Sequence, residues 1–254
     1  SIGYIHIGGE IKKLLYILLL SFGFGTVIHI PEDYDTIQEG IDAAVDGDTV
    51  LVDQGDYYEN LILQKSITLT SYAIYDDLSE WVDNFGEYYI TNDNILNTRI
   101  DGSNDTNGDN FQSTILINSP DDECISPTIF GFTITGGDGT VGIIQDSEGE
   151  RDDIEKTLGG GILSNNALPK INYNFITNNN GDVEAGGLDE GGALNMGTDI
   201  DWSASLMHNK DNMHSNRDCS GNIDLSHNFY RNNNALYGNT LSTIGFEGSL
   251  DMSS

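Results

Sequence analysis

The sequence predicts an all-β fold, a right-handed parallel β-helix (solenoid) with a short N-terminal capping α-helix. Three observations lead there: many short apolar runs are punctuated by Gly, Asn and Asp, a degenerate repeat fills the second half, and one amphipathic helical stretch precedes the first run. Gly, Asn and Asp accept the positive φ angles of tight turns, and 30 glycines accompany only four prolines here. At 37% hydrophobic residues, the 254-residue chain is too polar for one deep core and better suited to a stack of thin layers.

Residues 1–25 read as a signal peptide region. Lys12 and Lys13 precede the apolar run Leu14–Phe24, and Gly23 and Gly25 supply the small residues of a cleavage site. The run is shorter than the roughly 20 residues a membrane-spanning helix needs, so no stable span is expected after processing and the mature chain begins near Thr26. The residues before Lys12 do not resemble a signal n-region, which points to an over-extended start.

Residues 26–48 form the predicted cap. Ile37, Ile41, Ala44 and Val45 fall at helical spacing, Thr36 and Glu39 make a capping box, and Asp46-Gly47-Asp48 stops the helix. A first circuit of a solenoid would otherwise expose its apolar interior and its unpaired strand edges. Residues 49–245 form the predicted β-helix, beginning with TVLV (49–52), NLIL (60–63) and SITLTS (66–71), and continuing with STILINS (113–119) and TIFGFTITGG (128–137). Insertions are expected near 72–98, 141–158 and 198–221, and residues 246–254 read as a truncated end.

The repeat has two halves. GGGILSNN (159–166) is echoed by GGALNM (191–196) and ALYGNTLS (235–242), and NFITNNN (174–180) by FGFTITGG (130–137) and NFYRNNN (228–234). Phe132, Phe175 and Phe229 recur in the second half and predict an interior aromatic ladder, with a ladder of Asn side chains at the following turn.

The stretch Glu32–Ser71 resembles the opening of pectin methylesterases and of many surface β-helix proteins, in which a TIQ.AID.A..GDTV pattern forms the cap helix and first circuit. With RIDGSN, TIFGFTITGG and GGGILSNN, the resemblance to the pectin-lyase-like right-handed parallel β-helix proteins covers roughly residues 30–245. It implies a secreted or cell-surface protein that handles polysaccharide. The methylesterase likeness ends at the first circuit, where no catalytic residue can be carried over, and the fold hosts lyases, hydrolases, adhesins and binding modules alike.

Function classes narrow further on charge. Against 41 acidic residues stand 10 Lys and Arg, a formal charge of −31 that repels phosphate backbones and anionic lipid, so nucleic acid is not an expected partner. No cofactor is required, but calcium fits one stretch: Asp101, Ser103, Asp105, Asn107 and Asp109 offer oxygens at alternate positions. Thr106 stands where an EF-hand has Gly and Gln112 where it has Glu, and a solvated turn explains the stretch equally.

Lyase chemistry would draw on Arg99, Arg151, Arg217 or Arg231. Glycosidic acid/base work would draw on pairs such as Asp152–Asp153 or Asp199–Asp201, which 41 acids produce by chance. His208 and His214 match no zinc or copper spacing, and Trp81 and Trp202 could stack on sugars or pack among loops. Cys124 and Cys219 are too few for a disulfide framework, and both a bridge and two free thiols remain open. The reading reached is a surface module binding polysaccharide or a cell-surface partner without a catalytic motif. The alternative is a lyase or hydrolase acting on acidic polysaccharide, with a site scattered over neighbouring circuits.

Overall fold

A computed structural model describes residues 25–83, 89–104, 111–120, 123–144, 154–181, 194–197, 201–202, 219, 221–235, 240–244 and 248–253. The signal-peptide run lies outside these residues. Within them, no helix is long and apolar enough to cross a membrane.

The fold is all-β and dominated by three parallel sheets. Sheet A contains Val27–Ile30, Thr49–Val52, Thr68–Ser71, Thr128–Phe130, Lys170–Asn172, Gly221–Asp224 and Gly248–Asp251. Sheet B contains Gly55–Tyr57, Thr98–Asp101, Thr133–Thr135, Phe175–Thr177 and Phe229–Arg231, and sheet C contains Leu61–Leu63, Ile115–Asn118, Ile162–Asn165, Leu194–Gly197 and Leu241–Ile244. After the first strand, the chain visits A, B and C in that order, five times over, before ending in A.

Parallel in-register pairing stacks like residues. In sheet B, Tyr57, Ile100, Ile134, Ile176 and Tyr230 form one column, and in sheet C Leu61, Ile115, Ile162, Leu194 and Leu241 form another. The isoleucines of these columns are fully buried and belong to one continuous core. Branched Cβ atoms suit such strands because they pack on the neighbour above and below.

A helix forms where the helical spacing placed one. Helix α1 spans Ile37–Ala43, with Thr36 as N-cap and the Thr36–Glu39 box complete. Ile37 and Ile41 enter the core. The carboxylate of Glu59 accepts from Ile37 N and Gln38 N, both at 3.0 Å, and Lys65 Nζ donates to the carbonyls of Ile41, Asp42 and Ala44 at 3.1, 2.7 and 2.7 Å. A negative group thus holds the positive end of the helix and a positive group its negative end.

The amide ladders are present, and the phenylalanine ladder needs correction. Asn174 Nδ2 donates to Asn228 Oδ1 at 3.2 Å, Asn179 Nδ2 to Asn233 Oδ1 at 3.1 Å, and Asn165 Nδ2 to Asn118 Oδ1 at 3.0 Å. Phe132 lies fully buried in the core, but Phe175 pairs with Thr133 and Phe229 with Phe175, and both sit on the outer face, their rings 5.6 Å apart. Asn174, one residue earlier, takes the place equivalent to Phe132, and its Oδ1 accepts from Phe132 N at 3.0 Å. One residue of slip in a strand exchanges inside for outside. The register is set by the turn before each strand, where Gly131, Tyr173 and His227 adopt φ of 82°, 56° and 57°. At Gly131 a Cβ would come within 2.8 Å of Ala73 Cβ, so this turn requires glycine.

The insertions are more ordered than loops. Residues 72–97 contain a 3-10 turn (Tyr72–Tyr75), a two-stranded ribbon (Val82–Asp83 with Tyr89–Ile90) and helix α2 (Asp93–Asn97). Their Ala73, Ile90 and Ile95 cover Phe130, Tyr173, Phe175 and Phe229 on the outer surface. The expected loop 141–158 contributes to a hairpin, Gly139–Ile144 with Ile154–Leu158. Asp201–Trp202 and Phe111–Gln112 pair with it to make an antiparallel accessory sheet. Phe111 and Leu158 bury the outward Leu116 and Leu163 of sheet C. Cys124 and Cys219 are joined in a disulfide across a sequence separation of 95, resolving the open alternative.

Candidate functional site

The sequence-predicted calcium stretch begins at the end of a sheet B strand. Asp101 is buried, with 4% exposure; its Oδ2 accepts from the Arg99 guanidinium in a short contact, and its Oδ1 accepts from Ser103 N at 3.0 Å. Asp101 and Ser103 are therefore brought together, but as a turn closed by the carboxylate, which is already paired. Asp105, Asn107 and Asp109 lie outside the described residues. Among those described, no group of three or more His, Cys, Asp or Glu is placed to hold a metal ion.

Arg99 stands between two carboxylates on the outer face of sheet B. Its other neighbour is Asp56 Oδ1 at 3.8 Å, paired with it in register. The guanidinium is a charge-assisted donor to Asp101 and an ion-pair partner of Asp56. Arg231 is exposed and pairs in register with Thr177. Arg151, Arg217, Asp152, Asp153, Asp199, His208 and His214 fall outside the described residues. Asp201 and Trp202 are placed only by their backbone, in the accessory sheet. Trp81 meets Tyr173 edge-on at 5.7 Å, and Tyr173 stacks on His227 at 4.7 Å with 9° between the rings, so these aromatics serve packing on the outer surface.

A cleft of about 530 Å³ opens where the insertion meets sheet B, lined by Gln54, Asp76, Asp77, Thr91, Asn92, Asp93 and Asn94. Gln54 comes from the segment leading into the first sheet B strand, and α2, which carries Asp93 and Asn94, leads directly into the second. Asp76 follows the 3-10 turn, which Ser71 caps through its hydroxyl.

The lining side chains orient one another. Asp76 Oδ2 accepts from Asn92 Nδ2 and Asn94 Nδ2, each at 2.8 Å, and Gln54 Nε2 donates to Asn94 Oδ1 at 2.9 Å. Asn92 Oδ1 is used as the N-cap of α2, accepting from Ile95 N at 2.9 Å. Asp77 Oδ1 accepts from Ser79 N at 3.1 Å, and this backbone N–H holds its carboxyl below the ordinary range. Tyr75, 69% exposed, and Tyr89, 54% exposed, lie on the same insertion.

The cleft therefore presents planar amides and carboxylates, oriented by one another, at an open surface. Such groups supply both donors and acceptors to a ligand rich in hydroxyls, with one partner amide left to orient the other. Sequence reading missed this site because Gln54 and Asn94 are 40 residues apart and no motif joins them. No family model matches the chain, and a search of curated proteins finds no match.

Proposed function

We propose that this chain is a right-handed parallel β-helix of the pectin-lyase-like kind, exported to the cell surface or secreted, which binds polysaccharide and does not cleave it. The fold reading is supported by the repeated A, B, C order and by side-chain ladders running from circuit to circuit. The binding reading is carried by the cleft of Gln54, Asp76, Asp77, Thr91, Asn92, Asp93 and Asn94. Its amides and carboxylates match sugar hydroxyls, and its aspartates together with the chain's charge of −31 favour neutral over uronate-rich polymers unless divalent cations intervene. Calcium, in this reading, would come through the Asp101–Asp109 stretch.

A second reading, lyase or hydrolase action on acidic polysaccharide, draws on one observation: Arg99 meets two carboxylates on an outer face. Co-sedimentation with neutral and acidic polysaccharides, with and without calcium, run beside an assay for unsaturated or reducing ends, separates the two. Retention without new ends, lost in Asn92→Ala/Asn94→Ala, supports binding. Ends that vanish in Arg99→Ala sink it in favour of the enzyme, and no retention on any polymer sinks both.

A further inference from the structure

Tyr75 is the most exposed large apolar or aromatic side chain among the described residues. It ends the 3-10 turn Tyr72–Tyr75, immediately before Asp76 of the cleft. A 3-10 helix has about three residues per turn, so side chains at i and i+3 eclipse one another. Tyr72 and Tyr75 accordingly leave the turn on one side, their ring centroids 6.1 Å apart and their planes 57° from parallel. The turn itself is held at both ends. Ser71 Oγ accepts from Ala73 N at 3.2 Å, Asp76 N donates to Ala73 O at 3.0 Å, and Ala73 is fully buried.

Tyr72 anchors the pair. Its hydroxyl lies 3.5 Å from His29 Nδ1 and beside the Asp53 carboxylate, and removal from water, with that charge second, pushes it above the ordinary phenol value. Asp53 is followed by Gln54. Because Gln54 and Asp76 both bond to Asn94, the residues next to them, Asp53 and Tyr75, converge on one rim of the cleft. Tyr89, the other exposed ring of the insertion, is turned to Asp83, its partner across the ribbon. Tyr75 therefore offers an aromatic face, backed by Tyr72, beside the oriented amides. Gln54, Asn92 and Asn94 each spend one N–H of the side-chain amide on a neighbour and keep a second for a ligand.

Building on the reading of the cleft as a polysaccharide site, we propose that its ligand is a short run of neutral β-linked hexopyranose, with one sugar ring seated on Tyr75 and its hydroxyl rim bonded by Gln54, Asn92 and Asn94. An extended β-linked pyranose chain carries its C–H bonds on two flat faces and its hydroxyls around the edge. The face suits an aromatic ring and the edge suits amides. A furanose or an acyclic polyol brings the hydroxyls without the flat face, and a uronate meets the carboxylates of Asp76, Asp77 and Asp93. Tyrosine has only two side-chain torsions to fix, so the ring is ordered at little entropic cost. A cleft of about 530 Å³ lies within the roughly 300–1,000 Å³ usual for small ligands, which matches a few sugar units rather than a long track of polymer.

The test titrates the full chain with tetrasaccharides of β-1,4-linked glucose, mannose and galactose, beside a fructofuranose tetrasaccharide, a galacturonate tetrasaccharide and sorbitol. Binding is read by calorimetry and by saturation-transfer NMR. A neutral pyranose tetramer is expected to bind at least about 10-fold more tightly than the three comparison ligands, with transfer strongest at the C–H protons of one sugar face. Tyr75→Ala should weaken that binding about 5–20-fold, and Tyr75→Trp, which keeps a ring, should restore it. The transfer pattern is measured on the parent chain and so stands without any variant. Unchanged affinity in Tyr75→Ala, with loss in Asn92→Ala/Asn94→Ala, overturns the stacked pyranose while leaving the cleft as the binding site. Equal or tighter binding of the furanose or the galacturonate overturns the ligand class, and no binding of any sugar by the parent overturns both the ligand and the cleft.

Discussion

Replacing Asn179 by Ala tests whether the amide ladders are structural members. Asn179 is fully buried; its Nδ2 lies 3.1 Å from Ile134 O, 3.2 Å from Thr177 O and 3.1 Å from Asn233 Oδ1, and its Oδ1 accepts from Gly137 N at 3.1 Å. Truncation strands the Gly137 N–H and weakens two carbonyls in a place that water does not reach. Leaving a buried donor unpaired costs about 1–3 kcal/mol, and the remaining losses bring the expected destabilisation to about 3 kcal/mol. For a chain of this size that lowers Tm by about 6–12 °C in a thermal melt followed by circular dichroism. Asn179→Asp keeps the shape but turns a carboxylate towards two carbonyls and a neighbouring amide oxygen, so it should be worse at pH 7 and should recover on acidification. Asn97→Ala, exposed at the end of α2, serves as the control and should stay within about 0.5 kcal/mol of the parent. A value for Asn179→Ala as small as the control's would refute the ladder argument.

Lys65→Met should cost about 1–3 kcal/mol in urea unfolding, since three carbonyls at the end of α1 lose their cation, and Lys65→Arg should recover part of it. Cys219→Ser should cost about 2–5 kcal/mol, because the bridge closes a long loop, and reductant should bring the parent to the same stability without affecting the variant. The backbone N–H groups of Val45 and Thr26 hold the Asp48 carboxyl below its ordinary value of 3.8. A depressed folded value stabilises above the unfolded one and is lost as pH falls through the folded one; Asp48→Asn should therefore be less stable at pH 7, with the gap closing below about pH 4 in pH-dependent melts. An equal gap at pH 3 and pH 7 would count against this.

How much of this was legible depended on range. The cap helix and its box were readable because Thr36, Glu39, Ile37 and Ile41 interact within one turn or two. The Asn ladders were readable because the turn residues repeat in kind. Phe132 misled because the residue that fixes the register is Gly before one sheet B strand, Tyr before the next and His before the third, three residues with no common chemistry but all at positive φ. The latch of Glu59, Lys65 and Gln38 on α1 spans 21–24 residues in sequence, and the accessory sheet joins three separate stretches of the chain. Neither leaves a local periodicity. The polar cleft was hidden for the same reason, its walls coming from the lead-in to one sheet B strand and the insertion before the next.

The disulfide also has a mechanical meaning. A chain laid in parallel sheets, each strand paired with strands far from it in sequence, yields to tension from its ends as each strand peels from its neighbour. With Cys124 joined to Cys219, the 95-residue separation between them cannot lengthen, and roughly 310–340 Å of contour is withheld from extension. Pulled from its C-terminal end, the oxidised protein should surrender the residues beyond Cys219 and then stiffen, passing further load directly to the segment before Cys124. In a reducing environment the same pull would unravel the middle strands one at a time, so the redox state sets how far this chain can be drawn out.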